Sequence, residues 1–178
     1  MNTLEQFDRA LTICRDIFSK KLKDYGPSWR IMRPRSVTDQ LYIKAKRIRT
    51  LEEGTAMVDE GILGEFMAIV NYGLVGLIQL ERGYADEIDM NADEALELYD
   101  KKARMARDLM AAKTHDYGDA WRGMRVNSYT DLILTKLQRV KEIEGNSGHT
   151  IVSEGIDSNY MDIINYAVFG IVKLTEDA

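Results

Sequence analysis

Nothing in this chain constrains its fold more than a pattern it writes twice. Residues 21–39 read KLKDYGPSWRIMRPRSVTD and residues 113–131 read KTHDYGDAWRGMRVNSYTD. Tyr25 and Tyr117 stand 92 residues apart, and the same spacing relates Arg15 to Arg107, Lys21 to Lys113, Trp29 to Trp121, Lys44 to Lys136 and Arg47 to Arg139. The second copy then gains two residues in GNSGHT, and at a spacing of 94 Glu60 answers to Glu154, Asn71 to Asn165 and Tyr72 to Tyr166. Self-similarity at a fixed spacing marks a duplicated structural unit. The repeats divide the chain at residues 1–83 and 84–178, and the short polar segment ERGYADEIDM joins them.

Each repeat reads as three helices. Leu4, Phe7, Leu11, Cys14, Phe18 and Leu22 recur at helical spacing, as do Ala95, Tyr99, Ala103, Ala106 and Met110 in the second copy. Thr3 with Gln6, and Asn91 with Glu94, read as capping pairs at the two starts. Gly26 and Gly118 suit the left-handed position that ends a helix. The second helix is expected after Ser36 or Thr38, and after Ser128 or Thr130, whose hydroxyls can cap free amides. The third runs from about Gly61 to Leu80 and from Gly155 to Leu174, and is apolar nearly all round, so it belongs at the centre. With only two prolines in the chain, long helices meet few breaks. The expected class is all-α: two tandem three-helix repeats packed as one pseudo-twofold helical bundle.

Composition sets the outer bounds. A net charge of −5 disfavours nonspecific attachment to nucleic acid or membrane, while a local basic pocket for a small anion stays open. The apolar stretches Ile62–Leu80 and Ile156–Leu174 approach membrane-span length but contain Glu65, Asn71, Asp157, Asp162 and Asn165, which favours core helices. The single cysteine, Cys14, sits at a core position of its helix, and neither His115 nor His149 is placed to activate it. The first residues carry no signal-peptide pattern, so a reducing cytoplasm is the expected setting.

The residues hardest to explain by packing are basic. Val37, Leu41, Ile48 and Leu51 form an apolar stripe whose missing member is Lys44, and Tyr129, Ile133, Val140 and Ile143 leave the same gap at Lys136. A lysine on that seam needs water, a carboxylate or an anionic ligand. Arg47 and Arg139 lie on the adjacent edge of the same face. Asn71 and Asn165 interrupt the most apolar helix, where each amide either staples two helices or faces a ligand. Asp24, Tyr25, Trp29 and Arg30, with Asp116, Tyr117, Trp121 and Arg122, bring carboxylates, flat rings and guanidinium forks into one turn. Such a set forms either a packed turn or the wall of a nucleotide pocket. Glu154 and Asp162 are the acidic residues that could hold magnesium beside ligand phosphates, and Glu60 matches Glu154 in the first copy. Asp157 and Asp162 answer to Leu63 and Ala68, so the acidic cluster exists once, and any catalysis is expected in repeat two.

The stretches KDYGPSW, KAKRIRTLEEG and EGILGEFMAIVNYG, with HDYGDAW, KLQRVKEIEG and EGIDSNYMDIINYA, resemble the nucleotide modification associated domain 1 family, also catalogued as domain of unknown function 1599. The resemblance covers nearly the whole chain, once per repeat. It implies a link to modified nucleotides, and it picks out the two DYG turns, Lys44 with Arg47, Lys136 with Arg139, Glu60, Glu154 and the Asn-Tyr pairs. The family pattern carries a further acidic residue one turn before Asp162, where this chain has Ser158, and Gly64 in repeat one. Three readings follow. The first is a binder of a nucleotide or other phosphorylated small molecule between helices. The second is a magnesium-dependent nucleotide pyrophosphohydrolase, and the third is a non-enzymatic scaffold. The scaffold requires Lys44 and Lys136 to end on carboxylates with no cavity beside them.

Overall fold

The computed structural model describes residues 1–54 and 58–176, with the side chains of 58–60 outside the description. Among these residues the chain forms six α-helices and no strand: α1 Thr3–Tyr25, α2 Pro34–Glu52, α3 Val58–Arg82, α4 Ala92–Tyr117, α5 Val126–Gly145 and α6 Ile156–Thr175. A single 3-10 turn follows the first helix of each repeat, at Ser28–Ile31 and Ala120–Gly123. The chain is thus all-α, with three helices in each repeat.

Local chemistry sets most boundaries, with three departures from expectation. Helix α1 is capped by Asn2, whose side chain accepts from the Glu5 amide while Glu5 reaches back, so the capping box lies one residue before the Thr3–Gln6 pair. Asn91 caps α4 through the Glu94 amide, as expected. Helices α2 and α5 start earlier than expected, behind Arg33 and Arg125. Pro34 stands in the first turn of α2, where an absent amide proton leaves no bond unmade. The expected caps Thr38 and Thr130 therefore lie inside helices. Gly26 and Gly118 do end α1 and α4 at positive φ, but their ψ angles of −172° and −158° place them in the extended mirror region that glycine alone enters readily. A Cβ there would meet nothing within 4 Å, so backbone geometry by itself selects glycine.

Helices α3 and α6 pack against each other at the centre. Helix α2 covers α3, α5 covers α6, and α2 touches α5, while α1 and α4 lie against both central helices. Close approach at the centre rests on Gly76 and Gly170. A Cβ on Gly76 would collide with the Tyr160 ring, and one on Gly170 with the Phe66 ring. These are one contact made twice, since Phe66 and Tyr160, like Gly76 and Gly170, are equivalent by the repeat. The same reciprocity runs through the polar contacts. Arg15 pairs with Asp100 at 2.8 Å and Arg107 with Asp8 at 2.5 Å. Thr38 donates to Glu144 at 2.8 Å and Thr130 to Glu52 at 3.0 Å. Contacts that return under exchange of partners define a twofold axis. Gly61–Arg82 is long and apolar enough to cross a bilayer by composition, yet most of that helix is buried in this bundle.

Candidate functional site

The paired lysines end on carboxylates. On α2 the core positions are Val37, Leu41, Ala45 and Ile48, and on α5 they are Tyr129, Ile133, Leu137 and Val140. Ala45 and Leu137 therefore close the apparent gaps, and Lys44 and Lys136 flank the stripes one residue earlier. Lys44 Nζ lies 3.7 Å from Glu65 on α3, and Arg47 Nε lies 3.5 Å from the same carboxylate. Lys136 lies 3.0 Å from Asp162 on α6, whose other oxygen accepts from Lys113 at 2.8 Å. Burial pulls the Lys113 ammonium down, but the hydrogen bond and charge of Asp162 outweigh it and leave its pKa raised. Arg139, the partner of Arg47 by repeat, is exposed. Glu65 and Asp162 are not equivalent positions: Glu65 answers to Asn159, one turn earlier. A long acid from the earlier turn and a short acid from the later one reach the same lysine.

Asn71 and Asn165 are helix staples. Asn71 donates to the Cys14 carbonyl of α1, and Asn165 to the equivalent Ala106 carbonyl of α4, each at 3.1 Å. The Asn71 oxygen also accepts from Tyr99 at 2.7 Å, whereas the Asn165 oxygen is buried without a partner. Cys14, buried beneath this network, has its thiol pushed up to about 12 by burial, so it carries no thiolate at neutral pH.

The two arginines of the Trp-Arg turns are both engaged by protein groups. Arg30 is buried, holds Asp89 through two bonds of 2.8 and 3.1 Å, and also donates to Gln79 and the Gly83 carbonyl. Arg122 lies over the Trp121 ring, 3.3 Å from Glu176, and donates to Thr3 and Gln6. The third helix returns the contact in both copies, with Gln79 donating to the Arg30 carbonyl at 3.0 Å and Lys173 to the Arg122 carbonyl at 2.6 Å. Both arginines lock the turn to the bundle.

With those groups occupied, open space lies between the first helix, the DYG turn and the third helix of each repeat, rather than beside the second helix. In repeat one it is a cleft of about 470 Å³ whose walls include Phe18, Lys21, Tyr25, Trp29, Asn71 and Tyr72. Phe18 meets Trp29 at 6.2 Å with tilted rings and stacks on the buried Tyr99 at 4.3 Å, and with Tyr25 and Tyr72 these make the lining rich in aromatic side chains. The Tyr25 hydroxyl is raised above its ordinary pKa by burial, then by Tyr72 and Asp24, so it stays protonated and able to donate. Lys21 has no ion-pair partner among the described residues. In repeat two the equivalent cleft shrinks to about 170 Å³. The larger cleft is thus in repeat one, opposite to the copy the acidic residues singled out. Asp24 and Asp116 are exposed at the DYG turns, and Asp116 pairs with His115. A groove of about 330 Å³ at the α3–α4 junction, lined by Arg82, Glu94, Glu97, Lys101 and Arg104, gathers none of the repeated site residues.

The expected metal pair does not assemble. Both Asp162 oxygens are taken by ammonium groups, and Glu154 is exposed in the segment before α6. No group of three His, Cys, Asp or Glu side chains suited to a metal occurs among the described residues. The Glu60 side chain lies outside the described residues. A magnesium ion at Asp162 would face two ammonium groups, so this donor set does not fit it.

Sequence reasoning missed Glu65, Lys21, Lys113, Val75 and Phe169. The repeat alignment already paired Lys21 with Lys113, and weighing aligned positions by their differences would have found the rest. Comparison with curated proteins and with solved structures gave no match. A family model, nucleotide modification associated domain 1, matches residues 21–80 and again 113–174, which spans both DYG turns, both paired lysines and most of both central helices. The chain belongs to the nucleotide modification associated domain 1 family, in a tandem form with one family unit in each repeat.

Proposed function

We propose that this protein binds a nucleotide, or a phosphorylated small molecule of similar build, in the repeat-one cleft, in the service of nucleotide modification. The observation that carries the reading is the cleft of about 470 Å³ with aromatic side chains on its walls and, on its rim, Lys21, which has no ion-pair partner among the described residues. Bases stack on aromatic faces with little regard to sequence, and a lone ammonium suits a phosphate as a point charge. The family's link to nucleotide modification points the same way. Lys44 and Arg47 hold Glu65, and Lys136 holds Asp162, so these basic groups tie α2 to α3 and α5 to α6. Attachment to nucleic acid runs against the net charge of −5, and the buried Cys14 thiol suits a reducing, cytoplasmic setting.

The test uses the tryptophans as reporters, since the chain has only two. In a Trp121→Phe background, deoxynucleoside mono- and triphosphates are titrated while Trp29 emission is followed. Saturable quenching is expected, with Lys21→Met weakening nucleotides about tenfold and leaving nucleosides unchanged. Silence across the set, or equal response of Lys21→Met, overturns the reading. One observation favours a scaffold instead: Lys44 and Lys136 both end on carboxylates, as an internal salt-bridge network requires. That reading predicts silence in the same titration.

A further inference from the structure

Half of the residues that line the repeat-one cleft change in repeat two, and two of the changes put larger side chains on the lining of the smaller cleft. Val75 of repeat one answers to Phe169, and Ala68 answers to Asp162. The Phe169 ring stacks on Trp121 at 4.5 Å with the planes 7° apart, and Asp162 sits 2.8 Å from Lys113. Both residues line the smaller cleft, and their small counterparts line the larger one. The tryptophan and the lysine they engage exist in both copies, as Trp29 and Lys21. In repeat one, among the described residues, Trp29 meets the tilted ring of Phe18 at 6.2 Å with no parallel ring on it, and Lys21 meets no carboxylate.

We infer that repeat two is filled by its own side chains in the pattern that a ligand fills in repeat one. The ligand carries a flat ring that stacks on Trp29, where Phe169 stacks on Trp121, and an anionic group that meets Lys21, where Asp162 meets Lys113. This rests on the proposed reading of the cleft as a binding site and narrows what the site takes. Seven residues of α6 separate Asp162 from Phe169, about 10 Å of helical rise. A base, sugar and phosphate together reach across such a distance, whereas a free base or free phosphate occupies one end alone. The ligand class is a nucleoside monophosphate rather than a nucleoside, and the chain offers one open site rather than two.

The closing experiment moves the filling between repeats. Val75→Phe with Ala68→Asp installs it in repeat one, and Phe169→Val with Asp162→Ala removes it from repeat two. Titration calorimetry uses dTMP, dCMP, dAMP and dGMP, their nucleosides, and phenyl phosphate as a minimal ring with an anion. The parent is expected to bind a monophosphate at one site, and the filled repeat-one variant to lose about tenfold or more in affinity. The emptied repeat-two variant is expected to bind two equivalents. In the Trp121→Phe background, filling repeat one should also shield Trp29 from acrylamide, lowering the quenching constant at least about twofold on stacking. This last readout needs no ligand and holds even where the emptied variant does not fold. Monophosphate binding that survives filling overturns the inference and leaves the nucleotide reading standing. Phenyl phosphate bound where every nucleotide fails, and lost on filling, overturns the nucleotide reading and the monophosphate class together, and keeps only the pairing of a ring with an anion. Unshielded Trp29 overturns the inference whichever probe binds.

Discussion

At Asn71 the amide oxygen accepts a hydrogen bond from Tyr99, and at Asn165 the residue equivalent to Tyr99 is Phe7, which has no hydroxyl. One buried acceptor is left unpaired as a result, and such groups cost free energy in a dry interior. Phe7→Tyr is therefore expected to stabilise the fold by about 1 kcal/mol, read as a higher urea midpoint at constant slope. A lower midpoint would mean that the added oxygen crowds the Phe169 ring, which Phe7 meets edge-on at 6.0 Å. Residues of this kind were half legible beforehand. That Asn71 and Asn165 needed partners followed from amide chemistry in an apolar helix, but whether helix or ligand supplied them depended on which face each helix turned inward. The lysines carried a similar ambiguity. Their charge stood out against an apolar stripe, but Ala45 and Leu137 took the core places because a helical stripe can advance by four as well as by three.

The helices α2 and α5 meet along a seam where Thr38 and Thr130 each donate to a half-buried glutamate of the other repeat. Burial raises the carboxyls of Glu144 and Glu52 above their ordinary range, and the threonine bonds only partly offset it. An acid with a raised folded value holds its proton longer in the folded state. The stability it contributes is complete below the ordinary glutamate value of about 4.3 and is lost as pH rises through the raised value. Glu52→Gln with Glu144→Gln keeps an oxygen for each threonine and removes the charge. Between about pH 4 and about pH 7 the double variant is expected to lose less stability than the parent, measured by urea unfolding at each pH. A parallel pH profile for the two proteins would refute it. At this scale the sequence announced six helices through periodicity. It misplaced the starts of α2 and α5, because the hydroxyls that looked like caps serve the seam instead.

Across the whole molecule α3 of repeat one packs on α6 of repeat two, inside one contiguous hydrophobic cluster of the described residues. Single-tryptophan variants, Trp121→Phe and Trp29→Phe, place one reporter in each repeat. Both are expected to unfold at the same denaturant concentration, in one transition. Gly76→Ala forces a Cβ into the Tyr160 ring and should lower stability by about 1–3 kcal/mol through both reporters equally. Separate midpoints would show that the repeats unfold on their own. The duplication was legible in full from the residue spacing, as was the family unit in each half. The unequal clefts were written there too, in Val75 against Phe169 and Ala68 against Asp162, but an acid and an aromatic seven residues apart acquire a joint meaning only once both face the same cavity.

The reciprocal contacts, Arg15 with Asp100 and Arg107 with Asp8, are those by which two identical subunits hold each other. In such a dimer any change of residue arrives on both sides of the axis together, so a phenylalanine that plugs one cleft must plug its mate. Joining the halves in one polypeptide lifts that restriction. One half is free to narrow its hollow with its own side chains while the other keeps a wider one.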